Sequence, residues 1–324
     1  MAVYTEVSFD EAAGLFARLD TGALTALQPI AAGIENTNYF ADTASGRYVL
    51  TLFERLTHAQ LPFYLVLMKH LAERGIPVPR PHADTSGALL HTLAGKPAAV
   101  VDRLRGRHRL APDAAHCALV GDMLARMHLA ARDFAPAQPN LRGLAWWAET
   151  VPVIEPFVTA DLAALLRDEL AFQQRFAASA AGTSLPRGAI HADLFRDNVM
   201  FEAGDDGADR LAGFFDFYFA GVDALLFDLA VCLNDWCIDL ESGRLAEDRA
   251  NAFVAAYDAV RALDGAELRA LPALMRAAAL RFWVSRLWDL HLPRDAQLLT
   301  PHDPAHFERV LRARRDAPWH YTRP

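Results

Sequence analysis

The chain is poor in the residues that build covalent or metal scaffolds. Its three cysteines, Cys117, Cys232 and Cys237, show no repeated CxxC spacing, which excludes a zinc ribbon and a disulfide framework. The 12 histidines include no HExxH pair, and no GxxxxGK run occurs, so the metalloprotease pattern and the P-loop class are excluded as well. Lysine is nearly absent, with Lys69 and Lys96 alone. Positive charge is the minority: 32 basic against 40 acidic residues leave a net charge of −8, which offers no bulk attraction to nucleic acid or to an anionic membrane. Long apolar runs are missing too. Residues 224–240 are broken by Asp228, Asn234 and Asp235, and 271–288 by Arg276, Arg281 and Arg286, so neither reads as a membrane span. The N-terminus lacks the pattern of a signal peptide, and the expectation is a cytoplasmic protein in a reducing compartment.

What is present describes a packed globular chain, 53% hydrophobic and 22% charged, long enough for two lobes. From about 28 to 104 the apolar pattern is short and strand-like, with turn chemistry at Thr43-Ala44-Ser45-Gly46, Asp84-Thr85-Ser86-Gly87 and Ala94-Gly95-Lys96-Pro97. This predicts a small antiparallel sheet, with a hairpin over 38–53 and one helix over 59–74 that stops at Gly75. From Pro112 onward the period is helical over 112–132, 159–180, 245–263 and 266–290. The fold class is therefore α+β, with a sheet lobe at 1–102 and a mainly helical lobe at 103–324.

One polar island, 189–216, interrupts the helical lobe. His191-Ala192-Asp193-Leu194-Phe195-Arg196-Asp197-Asn198 places an aspartate five residues before an asparagine, directly after the apolar Ala189-Ile190. Asp216 follows a second apolar run, 211–215. This order suits phosphoryl transfer from ATP: one carboxylate orients the acceptor hydroxyl and takes its proton, while the Asn and the later Asp hold Mg²⁺ on the phosphates. Singly, each half of the pattern reads equally well as a turn or a helix cap; the ordered set of three is far more specific.

With these residues in place the chain resembles the aminoglycoside-phosphotransferase-like kinases, which share the bilobal protein-kinase-like fold, and most closely their homoserine kinase branch. The resemblance runs through Gly33-Ile34-Glu35-Asn36-Thr37-Asn38-Tyr39, 48–54, Leu61-Pro62-Phe63, Gly143-Leu144-Ala145-Trp146-Trp147, 191–200, Asp216-Phe217-Tyr218-Phe219-Ala220, Asp228-Leu229-Ala230 and Asn234-Asp235-Trp236-Cys237. It implies Asp193 as catalytic base, Asn198 and Asp216 as magnesium ligands, and Gly33, Asn36, Thr37 and Asn38 as a loop over the ATP phosphates. It implies Asp228 as a brace for the catalytic loop; His191, beside the stronger Asp193, reads as an orienting residue, with a proton shuttle the alternative. The implied reaction is phosphorylation of the side-chain hydroxyl of L-homoserine, on the route to threonine. Choline, methylthioribose or an aminoglycoside as acceptor is the alternative within the same chemistry, and a non-catalytic nucleotide-binding protein the alternative outside it.

The chain departs from protein kinases at the strand lysine that grips the phosphates and at its partner glutamate. Thr51 stands where that lysine is expected. The candidates to anchor phosphate are Thr51, the Thr37 and Asn38 amides, and the guanidinium of Arg47 or Arg55. Homoserine also carries a carboxylate and an ammonium, for which Arg196 on one side and Asp235 or Glu155 on the other are candidates. Trp146, Trp147, Tyr218 and Trp236 are candidate pocket walls; their alternative is ordinary core packing. The expected partner is a small molecule, with no nucleic acid and no membrane, and the oligomeric state is not legible.

Overall fold

The computed structural model describes residues 5–30, 36–292 and 302–323. The chain divides into two compact units, Met1–Gly106 with Ala212–Tyr218, and Arg107–Leu211 with Phe219–Pro324. The first unit thus extends four residues beyond the expected boundary at 102 and takes back a short later segment. That segment is tied in by the Phe214 N–H, which donates to Pro77 O at 3.0 Å.

The first unit opens with α1 (Phe9–Phe16), whose start is a capping box between Ser8 and Glu11. Five antiparallel strands follow: β1 (Leu24–Pro29), β2 (Thr37–Thr43), β3 (Arg47–Leu52), then after α2 (Pro62–Glu73) β4 (His91–Leu93) and β5 (Lys96–Asp102). They lie in the order β1-β2-β3-β5-β4. The expected 38–53 hairpin is β2–β3, in register Asn38 to Thr51 and Tyr39 to Leu50. Alternation puts Tyr39, Ala41, Tyr48, Leu50 and Leu52 on the face that packs against Leu15 and Phe16 of α1. Lys96 opens β5 instead of sitting in the expected turn, and its ammonium pairs with Glu54 at 3.2 Å.

The second unit contains α3 (Ala114–Ala130), α4 (Leu144–Ile154), α5 (Ala160–Ala178) and the single turn α6 (Ala180–Thr183). Next come β6 (Arg187–Ile190), β7 (Val199–Ala203), β8 (Asp209–Phe214), whose last residues belong to the first unit, and β9 (Gly221–Ala224). Helices α7 (Leu225–Trp236), α8 (Glu247–Val260), α9 (Gly265–His291) and α10 (Ala305–Asp316) complete it. β6 pairs antiparallel with β9, and β7 with β8. Every residue of α7 is buried, including Asp228, Asn234 and Asp235, which makes it the axis of the unit. Gly121 lets α3 approach α8 closely, because a Cβ there would meet Phe253 O at 2.2 Å. Among the described residues no helix is long and apolar enough to cross a membrane.

Candidate active site

The short β6 buries Ala189 and Ile190 and so delivers His191 and Asp193 at a fixed depth in the second unit. The backbone then turns sharply, with Ala192 at φ +63°, a conformation that costs a residue with a Cβ about 1–2 kcal/mol. Asp228, wholly buried on α7, holds that turn. Its two carboxylate oxygens accept the N–H of His191 at 2.8 Å and of Ala192 at 2.7 Å, and His128 Nε2 lies 3.0 Å from Oδ2. Because the carboxylate can only accept, the network assigns the His128 proton to Nε2, and Tyr257 O–H donates to Nδ1 at 2.7 Å. Burial alone would raise the Asp228 carboxyl, yet the His128 bond, the pull of the two imidazoles and the His191 amide hold it below its ordinary range.

Asp193 is half-buried, and its N–H donates to His191 Nδ1 at 3.2 Å, giving His191 an orienting place in the loop. The Asn198 amide N–H donates back to Asp193 O at 2.8 Å. With its nitrogen so engaged, Asn198 Oδ1 is the atom left to face a cation, a hard donor of the kind Mg²⁺ prefers. Among the described residues no group of three or more His, Cys, Asp and Glu side chains is placed to hold a metal. A single amide oxygen of this kind suits an ion that completes its shell with phosphate oxygens and water.

Arg196 and Asp235, both candidates for gripping a substrate, pair with each other. Asp235 Oδ2 accepts the Arg196 N–H at 2.8 Å and its Nε–H at 3.1 Å, while Arg196 Nη1 donates to Leu110 O at 2.9 Å and Nη2 to Asp235 O. Both are buried, and burial pushes the Asp235 carboxyl up against the opposing pull of Arg196. Trp236, a candidate pocket wall, is fully buried, and its indole N–H donates to Leu194 O at 2.9 Å. Trp147 is core, against Phe227, whereas Trp146 lies under the guanidinium of Arg142 at 4.3 Å. Glu155 pairs with Arg167 at 3.0 Å.

In the first unit, Asp216 has φ +69°, in the same left-handed region as Ala192. Tyr218 stands edge-on to Phe53 at 5.0 Å and to Tyr64 at 5.9 Å, and burial followed by the charge of Asp216 pushes its phenol up. Thr51 O–H donates to Asn38 Oδ1 at 2.7 Å across the β2–β3 pair, and the Asn38 amide donates to Asn36 O at 3.3 Å. Thr37 is buried, with its hydroxyl donated to Glu54 at 2.7 Å. Gly33 lies outside the described residues.

Residues 26–263 match the model of the phosphotransferase enzyme family. The chain is 65% identical to a homoserine kinase of Polaromonas naphthalenivorans over 98% of this chain and 99% of that protein. It is 59% identical to a homoserine kinase of Ralstonia nicotianae over 97% and 96% respectively. The chain belongs to the homoserine kinases of the phosphotransferase enzyme family. Among solved structures it superposes on an amicoumacin kinase bound to AMP-PNP and Ca²⁺, with a TM-score of 0.68 at 16% identity, over 95% of this chain and 92% of that one. An aminoglycoside phosphotransferase from Alicyclobacillus acidocaldarius gives 0.66 at 16% identity, covering 96% and 95%. The fold is that of the bilobal, protein-kinase-like phosphotransferases.

For a homoserine kinase of this fold, the sequence reading missed the aromatic stack behind the catalytic loop. Phe195 meets Phe282 of α9 at 4.5 Å and Phe307 of α10 at 6.0 Å. Arg286 lies over the Phe307 ring at 4.5 Å, donates to Asp303 O at 3.0 Å, and feels the charges of Asp235, Asp303, Asp193 and Asp197. Its only sequence signal was a charge breaking an apolar helix. His128 likewise read as helix packing, and nothing in its neighbours along the chain pointed to Asp228.

Proposed function

We propose that this protein transfers the terminal phosphoryl group of ATP to the side-chain hydroxyl of L-homoserine, giving O-phospho-L-homoserine. The observation that supports the chemistry is the loop that Asp228 clamps, which presents a half-buried Asp193 five residues before Asn198. The acceptor follows from the full-length likeness to homoserine kinases. Asp193 aligns the hydroxyl and accepts its proton as the oxygen attacks phosphorus, a role worth ~10²–10⁴ in rate. Asn198 in the second unit and Asp216 in the first would each offer a hard oxygen to magnesium, which when bound would neutralise charge on the phosphates. Asn36, Thr37, Asn38 and Thr51 would shape the phosphate end of the nucleotide site. Since Arg196 is committed to Asp235, the substrate carboxylate falls to Arg286, which feels the charges of Asp193 and Asp197 with its guanidinium carbon 4.5 Å from the centre of the Phe307 ring.

The test is direct. Purified protein with Mg·ATP and a panel of homoserine, choline, methylthioribose and an aminoglycoside is followed by ADP release and product mass. Homoserine-dependent ADP with a product heavier by one phosphoryl group is expected. Turnover of another acceptor in its place overturns the substrate, and no turnover of any acceptor overturns the chemistry.

A further inference from the structure

A cavity of about 480 Å³ opens in the second unit at a point that the reaction does not use. Its wall comes from the end of α3 (His128, Leu129, Arg132), the start of β6, Leu225, and the α8–α9 connection through Arg261, Asp264 and Glu267. The size matches a small metabolite. Arg132, Arg187 and Arg261 line it together with Asp264 and Glu267, and both carboxylates are already engaged. Asp264 accepts the amides of Ala266 and Glu267, and Glu267 accepts from Arg261 Nη2 at 2.7 Å and from the Asp264 amide at 3.1 Å.

The cations are less satisfied. Arg261 is nine-tenths buried, with its side chain 10% exposed, yet its Nη1 has no hydrogen-bond acceptor among the described residues. That nitrogen is sealed from solvent, so it is not the atom through which Arg261 lines the cavity. Arg132 is exposed at the rim, and among the described residues no ion pair engages it; Arg187 carries a single surface pair, with Asp223 at 3.1 Å. Leu129, Pro186, Leu225, Val260 and Ala262 supply the apolar remainder of the wall.

The same wall connects to the catalytic loop. Arg261 lies 5.6 Å from the Tyr257 ring, Tyr257 O–H donates to His128, and His128 donates to the Asp228 carboxylate that holds the His191 and Ala192 amides. We propose that this cavity binds a small metabolite carrying a carboxylate or phosphate on a short apolar body, gripped by Arg132, Arg187 and Arg261, and that occupancy alters the catalytic loop through His128 and Asp228. The binding claim stands independently of the acceptor assigned above.

Full-length protein saturated with AMP-PNP and magnesium, so that the nucleotide site is filled, is titrated calorimetrically with inorganic phosphate and separately with pentanoate. The comparison is the double variant Arg132→Glu, Arg187→Glu, whose basal turnover is expected to stay within about twofold because neither residue touches the catalytic loop. The proposal expects at least one probe to bind at millimolar concentration or below and the double variant to weaken it tenfold or more. It also expects hydrogen exchange at the His191 and Ala192 amides to change on binding in the parent and not in the variant. Preference for pentanoate identifies a carboxylate ligand, and preference for phosphate a phosphorylated one. Absence of binding by both probes, or binding that the variant retains, overturns the site; binding with unchanged exchange at those two amides overturns the coupling.

Discussion

Replacing Asp228 by Asn removes one charge and one acceptor from a position where three donors converge. The parent carboxylate takes the His191 and Ala192 amides and the His128 Nε2–H within 2.7 to 3.0 Å, all in a fully buried setting. An asparagine retains one oxygen and turns an NH₂ group toward a donor, so at least one buried N–H is left facing another. Each unsatisfied buried donor costs ~1–3 kcal/mol, and breaking a buried charged network ~3–5 kcal/mol in all. At roughly 2–4 °C per kcal/mol for a body of this size, Tm falls by ~6–20 °C. Ala192 also loses the clamp on its left-handed backbone, and a displacement of Asp193 by about 1 Å lowers kcat by ~10². The pH dependence has a definite sign. The folded carboxyl lies below its ordinary value, so its contribution to stability is present above the unfolded value, near ~3.9, and is lost as pH falls through the folded one. Calorimetric scans of both proteins across pH should therefore show a constant Tm gap at neutral pH that narrows only below about pH 4. A variant within about 2 °C of the parent and within about threefold in ADP release would refute the clamp.

Asp193→Asn is expected to lower kcat by ~10²–10⁴ while AMP-PNP affinity, measured calorimetrically, stays within a few-fold. Trp236→Phe leaves Leu194 O with only the long, weak Cys232 S–H contact at 3.7 Å and should cost ~1–3 kcal/mol, read as a lower urea midpoint at unchanged m. Arg286→Met is expected to raise the KM for homoserine by ~10-fold or more, as a lost charged hydrogen bond does, with the KM for ATP unchanged. An equal rise in both constants would place Arg286 outside substrate recognition.

The candidate catalytic segment was legible because its pattern is local. Asp193, Asn198 and Asp216 carry a spacing that a linear reading can find, and strand alternation over 37–52 marks the sheet in the same way. The helix α7 was harder, since a helix buried on every side has no polar face to give it a period. Short elements such as α1 and α10 were missed for a related reason: each is one amphipathic face whose burial depends on a distant partner.

Composition and spacing alone determined that this chain is a packed α+β protein with a hydroxyl-directed phosphotransfer motif, because residue type and sequence interval are properties of the chain itself. Only the tertiary structure decided the partners. It spent Arg196 on Asp235, set Trp236 under Leu194 as a prop, and brought His128 of α3 to Asp228 of α7, a hundred residues apart. Hydrogen bonds and ion pairs of that range depend on which buried donors meet which acceptors once apolar surfaces have packed, and no local pattern records that outcome.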